Sequence, residues 1–327
     1  MDLTLTPDIS SPAASGSSAQ VNLHRLLDNI ATVVLGKPEV IRLAVVALLA
    51  EGHVLVEDVP GVGKTLLARA IAASLDCSFR RLQFTPDLLP SDILGSSVYH
   101  AATGEFVFKP GPIFANVILA DEINRTTPRT QSALLEAMSD GQVSVEGNTH
   151  LLEPPFLVLA TQNPFEFEGT YVLPESQLDR FMIRIRMGYP VRAEERKILS
   201  SHRRGEPVEK LGAVLSREDI LALQKAVRTV RVDDAISEYM LDLVHATRES
   251  GDLHVGVSTR GALTLYRAAQ GLALVSGRDY VIPDDVKTLA VPVLAHRVVG
   301  KSFLQAGEFS LSESIIRDLL DRLRVPS

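Results

Sequence analysis

Gly52-His53-Val54-Leu55-Val56-Glu57-Asp58-Val59-Pro60-Gly61-Val62-Gly63-Lys64-Thr65-Leu66 is the stretch on which the fold turns. A short apolar run of strand length enters a glycine-bearing turn, and residues 65–74 continue with a helical pattern. Residues 58–65 have the spacing of a phosphate-binding loop, except that Asp58 stands where that pattern begins with glycine. Backbone N–H groups of residues 61–65, at a helix N-terminus, can converge on phosphate oxygens. Lys64 then reaches the β- and γ-phosphates of a nucleotide, and the Thr65 hydroxyl ligates Mg²⁺. A Gly-rich turn with an incidental lysine looks the same locally, so the rest of the chain has to decide.

Upstream, residues 23–49 carry apolar side chains at helical spacing. Downstream, a strand is expected over residues 79–84, followed by two strongly apolar ones, Val117-Ile118-Leu119-Ala120 and Phe156-Leu157-Val158-Leu159-Ala160. Strands apolar on both faces and separated by helices imply a parallel sheet covered on both sides. Thr127-Pro128 opens the helix between those two and Gly141 closes it. Two inserts read as β-hairpins: residues 96–101 with 105–109, and 142–145 with 149–152. Beyond Tyr189-Pro190 the strands stop, and Ile236, Met240, Leu243, Val244, Leu263, Leu265 and Leu272 recur helically. The expected division is a disordered tail over residues 1–20, an α/β nucleotide domain over 21–190 and an all-helical lid over 191–327.

The chain has 327 residues, enough for about two domains at ~150 residues each. Its 46% hydrophobic content excludes disordered and fibrous classes. A net charge of −7 gives no field that draws the protein onto phosphate backbones or anionic membranes. The single cysteine, Cys77, forbids an internal disulfide and a Cys-based zinc site, and reads as a small buried hydrophobe. No apolar run approaches the ~18 residues of a membrane span, and the start lacks the order of a signal peptide. The expectation is a soluble cytoplasmic protein with no membrane insertion.

The strand 117–120 ends in Asp121-Glu122, a carboxylate pair at the edge where open α/β sheets bind ligands. Asp121 suits Mg²⁺ and Glu122 suits activation of a water. The next strand ends Thr161-Gln162-Asn163-Pro164, where Asn163 can orient that water, although Asn-Pro is also a plain turn former. Arg180, in Leu178-Asp179-Arg180-Phe181, taken alone reads as a solvated charge.

Together these residues resemble the AAA+ ATPases, specifically the MoxR group, over residues 33–297. Val59-Pro60-Gly61-Val62-Gly63-Lys64-Thr65 resembles its Walker A, with Leu66 following, and Leu119-Ala120-Asp121-Glu122-Ile123-Asn124-Arg125 its Walker B. Ala160-Thr161-Gln162-Asn163-Pro164 is similar to sensor 1, residues 174–181 to the segment with the arginine finger, and Val257-Ser258-Thr259-Arg260 to sensor 2. The resemblance implies an α/β P-loop NTPase core with β-hairpin inserts and a helical lid, binding ATP and Mg²⁺. It implies that Arg180 is a finger on a neighbour's γ-phosphate and that Arg260 reaches nucleotide from the lid; Ser258 itself reads as the N-cap of the helix that Arg260 starts. The hairpins correspond to inserts shared with magnesium-chelatase-type and MCM-type motors. The implied function is chaperone-like remodelling of a client protein by a hexameric ring, with a von Willebrand factor A-domain partner. An MCM-type nucleic-acid motor and a magnesium-chelatase-type subunit are the alternatives. The first hairpin's tip, Ala102-Thr103-Gly104-Glu105, lacks the basic residues of a nucleic-acid motor, so no nucleic acid is expected as partner.

Overall fold

The computed structural model describes residues 13–102, 104–163, 169–201, 203, 205–301 and 308–326. Helices α1 (Ala13–Ala31) and α2 (Pro38–Leu49) lead into β1 (Val54–Glu57), α3 (Lys64–Ser74), β2 (Phe79–Gln83) and α4 (Pro90–Leu94). The hairpin β3 (Gly95–His100) and β4 (Glu105–Pro110) precedes β5 (Val117–Asp121) and α5 (Pro128–Asp140). A second hairpin, β6 (Gln142–Val145) and β7 (Asn148–Leu151), precedes β8 (Leu157–Gln162), α6 (Glu175–Leu178) and β9 (Ile183–Ile185). The remainder comprises α7 (Arg192–Ser201), α8 (Arg217–Val227), α9 (Asp234–Glu249), β10 (Leu253–Val255), α10 (Thr259–Val275), α11 (Pro283–Leu294), β11 (Val299–Gly300) and α12 (Glu308–Arg322).

The main sheet has the order β2-β5-β8-β1-β9, and every pairing in it is parallel. Its interior strands alternate between two apolar layers, as a period of two requires. Val54, Val56, Leu157 and Leu159 face α1, α2 and α3, whereas Leu55, Val158 and Ala160 face Leu134, Leu135 and Met138 of α5. The first layer continues without a break into α8–α11, so the helical region shares a core with the nucleotide domain. Polar ties reinforce that seam: Gln224 donates to the Leu48 carbonyl at 2.8 Å, and Arg228 grips both oxygens of Glu51 at 2.8 and 2.9 Å.

Three expectations need correction. The tail boundary at residue 20 falls inside α1, which begins at Ala13; Leu23, Leu26 and Ile30 are buried at helical spacing and pin the helix to the core. Residues 1–12 of that tail lie outside the described residues. Among the described residues, the carboxy-terminal region is helical apart from a small ribbon pairing β10 with β11 and a single bridge between Arg231 and Tyr280. Leu263 does not belong to the lid core but lies on the open face of α10, 64% exposed, while Leu265 and Leu272 are buried. In the hairpins, β6–β7 closes through Glu146-Gly147, both at positive φ, the geometry that matches strand twist in a two-residue turn. The β3–β4 hairpin carries exposed apolar side chains, with Val98 opposite Val107 and the Tyr99 and Phe106 rings 5.4 Å apart.

His53 closes the entrance end of β1. Its Nδ1 accepts from the Val158 N–H at 3.1 Å and its Nε2 donates to the Met138 carbonyl at 3.0 Å, so the buried ring is fixed neutral. Burial, more than the nearby Arg260 charge, lowers its pKa to about 4. An unfolded histidine binds its proton near pH 6.5, so the unfolded chain holds more protons than the folded one between pH 6.5 and 4. Stability from His53 is therefore intact above pH 6.5 and lost towards pH 4, by about 3 kcal/mol for such a shift. Scanning calorimetry is expected to show a flatter fall in Tm between pH 6.5 and 4.5 for His53→Gln than for wild type; an unchanged slope would refute this.

Candidate nucleotide site

β1 delivers the chain into the glycine loop, and Asp58 fastens the loop's start. Its Oδ1 accepts from the Val59 N–H at 2.8 Å, its Oδ2 accepts from the Gly188 N–H at 2.5 Å, and its own N–H donates to the Gln162 carbonyl at 3.3 Å. A glycine at this position supplies no carboxylate, so the departure from the usual pattern has a structural reason: it ties the loop to the turn after β9. Gly63 caps α3 at φ 98°, where a side chain is strained. The first N–H groups of α3 have no partners within the helix and open onto a cavity. Lys64 Nζ donates to the Asp58 carbonyl at 2.6 Å. Burial lowers the Lys64 pKa, and the carboxylates of Asp121, Asp58 and Glu122 oppose that shift.

The acidic pair closes the other wall. Thr161 Oγ1 donates to Asp121 Oδ1 at 2.6 Å and accepts from the Glu122 N–H at 2.9 Å, so one hydroxyl sets both carboxylate-bearing residues. Glu122 adopts φ 58°, a left-handed conformation of the kind that concentrates at functional sites. Its Oε2 accepts from Gln83 Nε2 at 2.9 Å and pairs with Arg125 Nε at 3.1 Å. Arg81 Nη2 lies 2.6 Å from Asp121 Oδ2 and donates to Gln83 Oε1 at 2.9 Å. Sequence reasoning assigns no role in the site to Arg81, Gln83, Thr161 or Asp58. The only local signal for the first two is the alternation Arg81-Leu82-Gln83, which puts two polar side chains on one face of a sheet strand.

Pro60, Gly61, Val62, Gly63, Lys64, Thr65, Leu66, Asp121, Glu122 and Asn163 line one cavity of about 1070 Å³. Val59 is not among its walls. Val33, Val34, Met187, Tyr189, Ile198 and Leu199 give the cavity an apolar end of the kind a nucleobase needs. Lys37 braces that end by donating to the Tyr189 carbonyl at 3.0 Å. Pro164, the last residue of the sensor-1 resemblance, lies outside the described residues. The Thr65 hydroxyl and the Asp121 carboxylate are hard oxygen donors facing the same space. Among the described residues no group of three or more His, Cys, Asp and Glu could hold a metal. Two hard oxygen donors beside the phosphate loop fit Mg²⁺, which takes one or two protein ligands and completes its shell with phosphates and water.

Arg180 and Arg260 are elsewhere. Arg180 precedes β9 at the level where the Met182 N–H bonds the His53 carbonyl at 2.8 Å, which is the entrance end of β1. Arg260 donates to Ser139 Oγ at 3.3 Å, next to the Met138 carbonyl that holds His53. Four strand residues at ~3.3 Å each put roughly 13 Å of sheet between that level and the glycine loop. Neither arginine lines the cavity of its own chain. Ser258 caps α10, accepting from the Gly261 N–H at 3.1 Å, as the sequence suggested.

Comparison with known proteins bears on this arrangement. A family profile described as "ATPase family associated with various cellular activities (AAA)" matches residues 53–183, and one described as "AAA lid domain" matches residues 245–319. The chain is 51% identical to the Bacillus subtilis protein YeaC, over 94% of this chain and 97% of that protein. It is 42% identical to Chaperone MoxR1 of Mycobacterium tuberculosis, over 96% of this chain and 85% of that protein. A crystal structure from Cytophaga hutchinsonii superimposes with a TM-score of 0.89 at 35% identity, covering 98% of this chain and 99% of the other. With a phosphate loop, an acidic strand end and a helical lid arranged on one parallel sheet, and with relatives of this identity along nearly their whole length, the chain belongs to the MoxR family of AAA+ ATPases.

Proposed function

We propose that the protein hydrolyses ATP in an Mg²⁺-dependent reaction and, as a ring of identical subunits, uses that energy to remodel a client protein. The observation that carries the proposal is the convergence of Lys64, Thr65, Asp121, Glu122 and Asn163 on one cavity, while both candidate arginines stand at the opposite end of the sheet. Each residue then has one task. The α3 N-terminus and Lys64 bind the phosphates, and Thr65 with Asp121 would hold Mg²⁺, which neutralises charge on the transferring phosphoryl group. Glu122 accepts a proton from the attacking water as its oxygen bonds the γ-phosphorus and the bond to the β-phosphate oxygen breaks, leaving ADP and phosphate. Asn163 orients that water, and Gln83 and Arg125 aim the Glu122 carboxylate.

An arginine that cannot reach its own cavity can serve the cavity of a neighbour, which supports a ring, hexameric by the resemblance. Arg180 stabilises transition-state charge there. The chaperone role follows the name of the mycobacterial relative, and a von Willebrand factor A-domain partner follows the family resemblance. A nucleic-acid motor is disfavoured by the net charge of −7 and by the valine, tyrosine and phenylalanine exposed on the β3–β4 hairpin, where a motor of that kind needs cations.

Two variants separate binding from chemistry. Lys64→Ala is expected to abolish ATP binding in calorimetry with Mg²⁺, whereas Glu122→Gln binds ATP but turns it over at least ~100-fold more slowly. Wild-type affinity in Lys64→Ala would refute the phosphate-loop assignment. Affinity for DNA at about 0.15 M salt is expected to be no tighter than the non-specific range of roughly 10⁻⁴ to 10⁻⁶ M, without stimulation of the ATPase rate. A several-fold stimulation would favour the motor.

A further inference from the structure

Arg297 ends a short 3₁₀ turn (Ala295–Arg297) after α11, and its side chain is 1% exposed. Its Nε pairs with Asp179 Oδ1 at 3.0 Å, and its Nη2 donates to the carbonyls of Asp179 at 3.1 Å and Phe181 at 2.8 Å. Its Nη1 donates to the Val293 carbonyl at 2.8 Å, which anchors the group to its own helix. Asp179 and Phe181 are the two residues that flank Arg180. On its other side, the Arg297 stem lies against the start of α10: a Cβ built on Gly261 would stand 3.0 Å from Arg297 Cδ and 3.3 Å from Nε. Gly261 directly follows Arg260. The circle closes through Ser258, whose hydroxyl lies 3.5 Å from each Asp179 carboxylate oxygen.

A buried guanidinium is costly to desolvate, and a hydrophobic side chain in its place is often no less stable. What it supplies here is geometry: a planar fork whose two Nη atoms bond three carbonyls at fixed angles while its charge lies beside one carboxylate, which an ammonium on a flexible stem does not reproduce. Two of those carbonyls belong to the backbone on either side of one candidate arginine, and the fork's stem packs with Val257 against the glycine that follows the other.

We propose that Arg297 is a positioning residue that holds the Arg180-bearing turn and the Arg260-bearing end of α10 in mutual register, so that both arginines are presented together to the nucleotide of the neighbouring subunit. The inference rests on the reading of Arg180 and Arg260 as residues acting across a subunit boundary. It assigns to the lid, through the end of α11, control over how the neighbour's site is completed.

The test uses Arg297→Lys, which keeps the charge beside Asp179 and loses the fork. The variant is expected to assemble and bind ATP like wild type, with KM changed by less than about two-fold and kcat lowered about 10- to 100-fold, as for a small misplacement of a catalytic group. In the double variant Arg180→Ala/Arg297→Lys the rate is expected to fall by less than the product of the two single effects, because the part of the Arg297→Lys defect that acts through Arg180 is already lost and only the part through Arg260 remains. Loss of ATP affinity in parallel with kcat, or effects that multiply in the double variant, would overturn the positioning role. If Arg297→Lys does not fold, Asp179→Asn removes the same ion pair from its more exposed side, and wild-type kcat there would overturn the proposal. Wild-type kcat in Arg180→Ala refutes the underlying subunit-boundary reading, whereas an inactive Arg180→Ala beside a fully active Arg297→Lys refutes only the inference about Arg297.

Discussion

Everything in this protein hangs on the backbone ladder that fixes β1 between β8 and β9, with all three strands running the same way. A parallel ladder gives each strand an entrance and an exit shared with its neighbours. At the exit of β1 and β8 lie the glycine loop and Asn163, and at the exit of β5 lies Asp121. At the entrance of β1 and β9 lie His53, Arg180 and, across α5, Arg260. The same pairing that concentrates phosphate chemistry at one edge thus removes the arginines to the other. On the proposed reading, a chain built this way has half of a site at each edge, and association of subunits would join them.

The charged interior serves that division. Glu57, the last residue of β1, is buried, and burial raises its carboxyl pKa against the pull of Arg184, whose Nη1 lies 3.3 Å away. Gln162, at the end of β8, donates to the other Glu57 oxygen, and Arg184 reaches Glu313 on α12 at 2.9 Å. Directly beneath Asp58 and Asn163, then, four elements (β1, β8, β9 and α12) are linked by groups that tolerate little displacement in a low-dielectric setting. The carboxy-terminal helix is part of the support of the nucleotide site, as the core it shares with α8–α11 already implies.

How much of this could be read from the chain depends on whether the signal is local. The glycine loop, Asp121-Glu122 after an apolar strand, both hairpins and the Ser258 cap are written within a few adjacent residues, and they stand where those residues place them. Partners separated by more than a hundred positions leave no such trace: Asp58 meets Gly188 across 130 positions and Arg297 meets Asp179 across 118. In sequence, Asp58 is a missing glycine and Arg297 an unremarked charge. Arg81 and Gln83 fall between these cases, since an edge strand explains their polarity without any role in the site. Their meaning comes from β2 lying beside β5, in a register that sets Gln83 against Asp121.

The central claim is that a complete site needs the exit edge of one subunit and the entrance edge of another. Mixing is the direct measurement: Lys64→Ala and Arg180→Ala subunits, each inactive alone, combined and assayed for phosphate release. Some interfaces in mixed rings pair an intact Lys64 with an intact Arg180, so the account predicts that activity returns on mixing and peaks at intermediate ratios. Mixed assemblies that demonstrably contain both variants, yet remain as inactive as either parent, would contradict it.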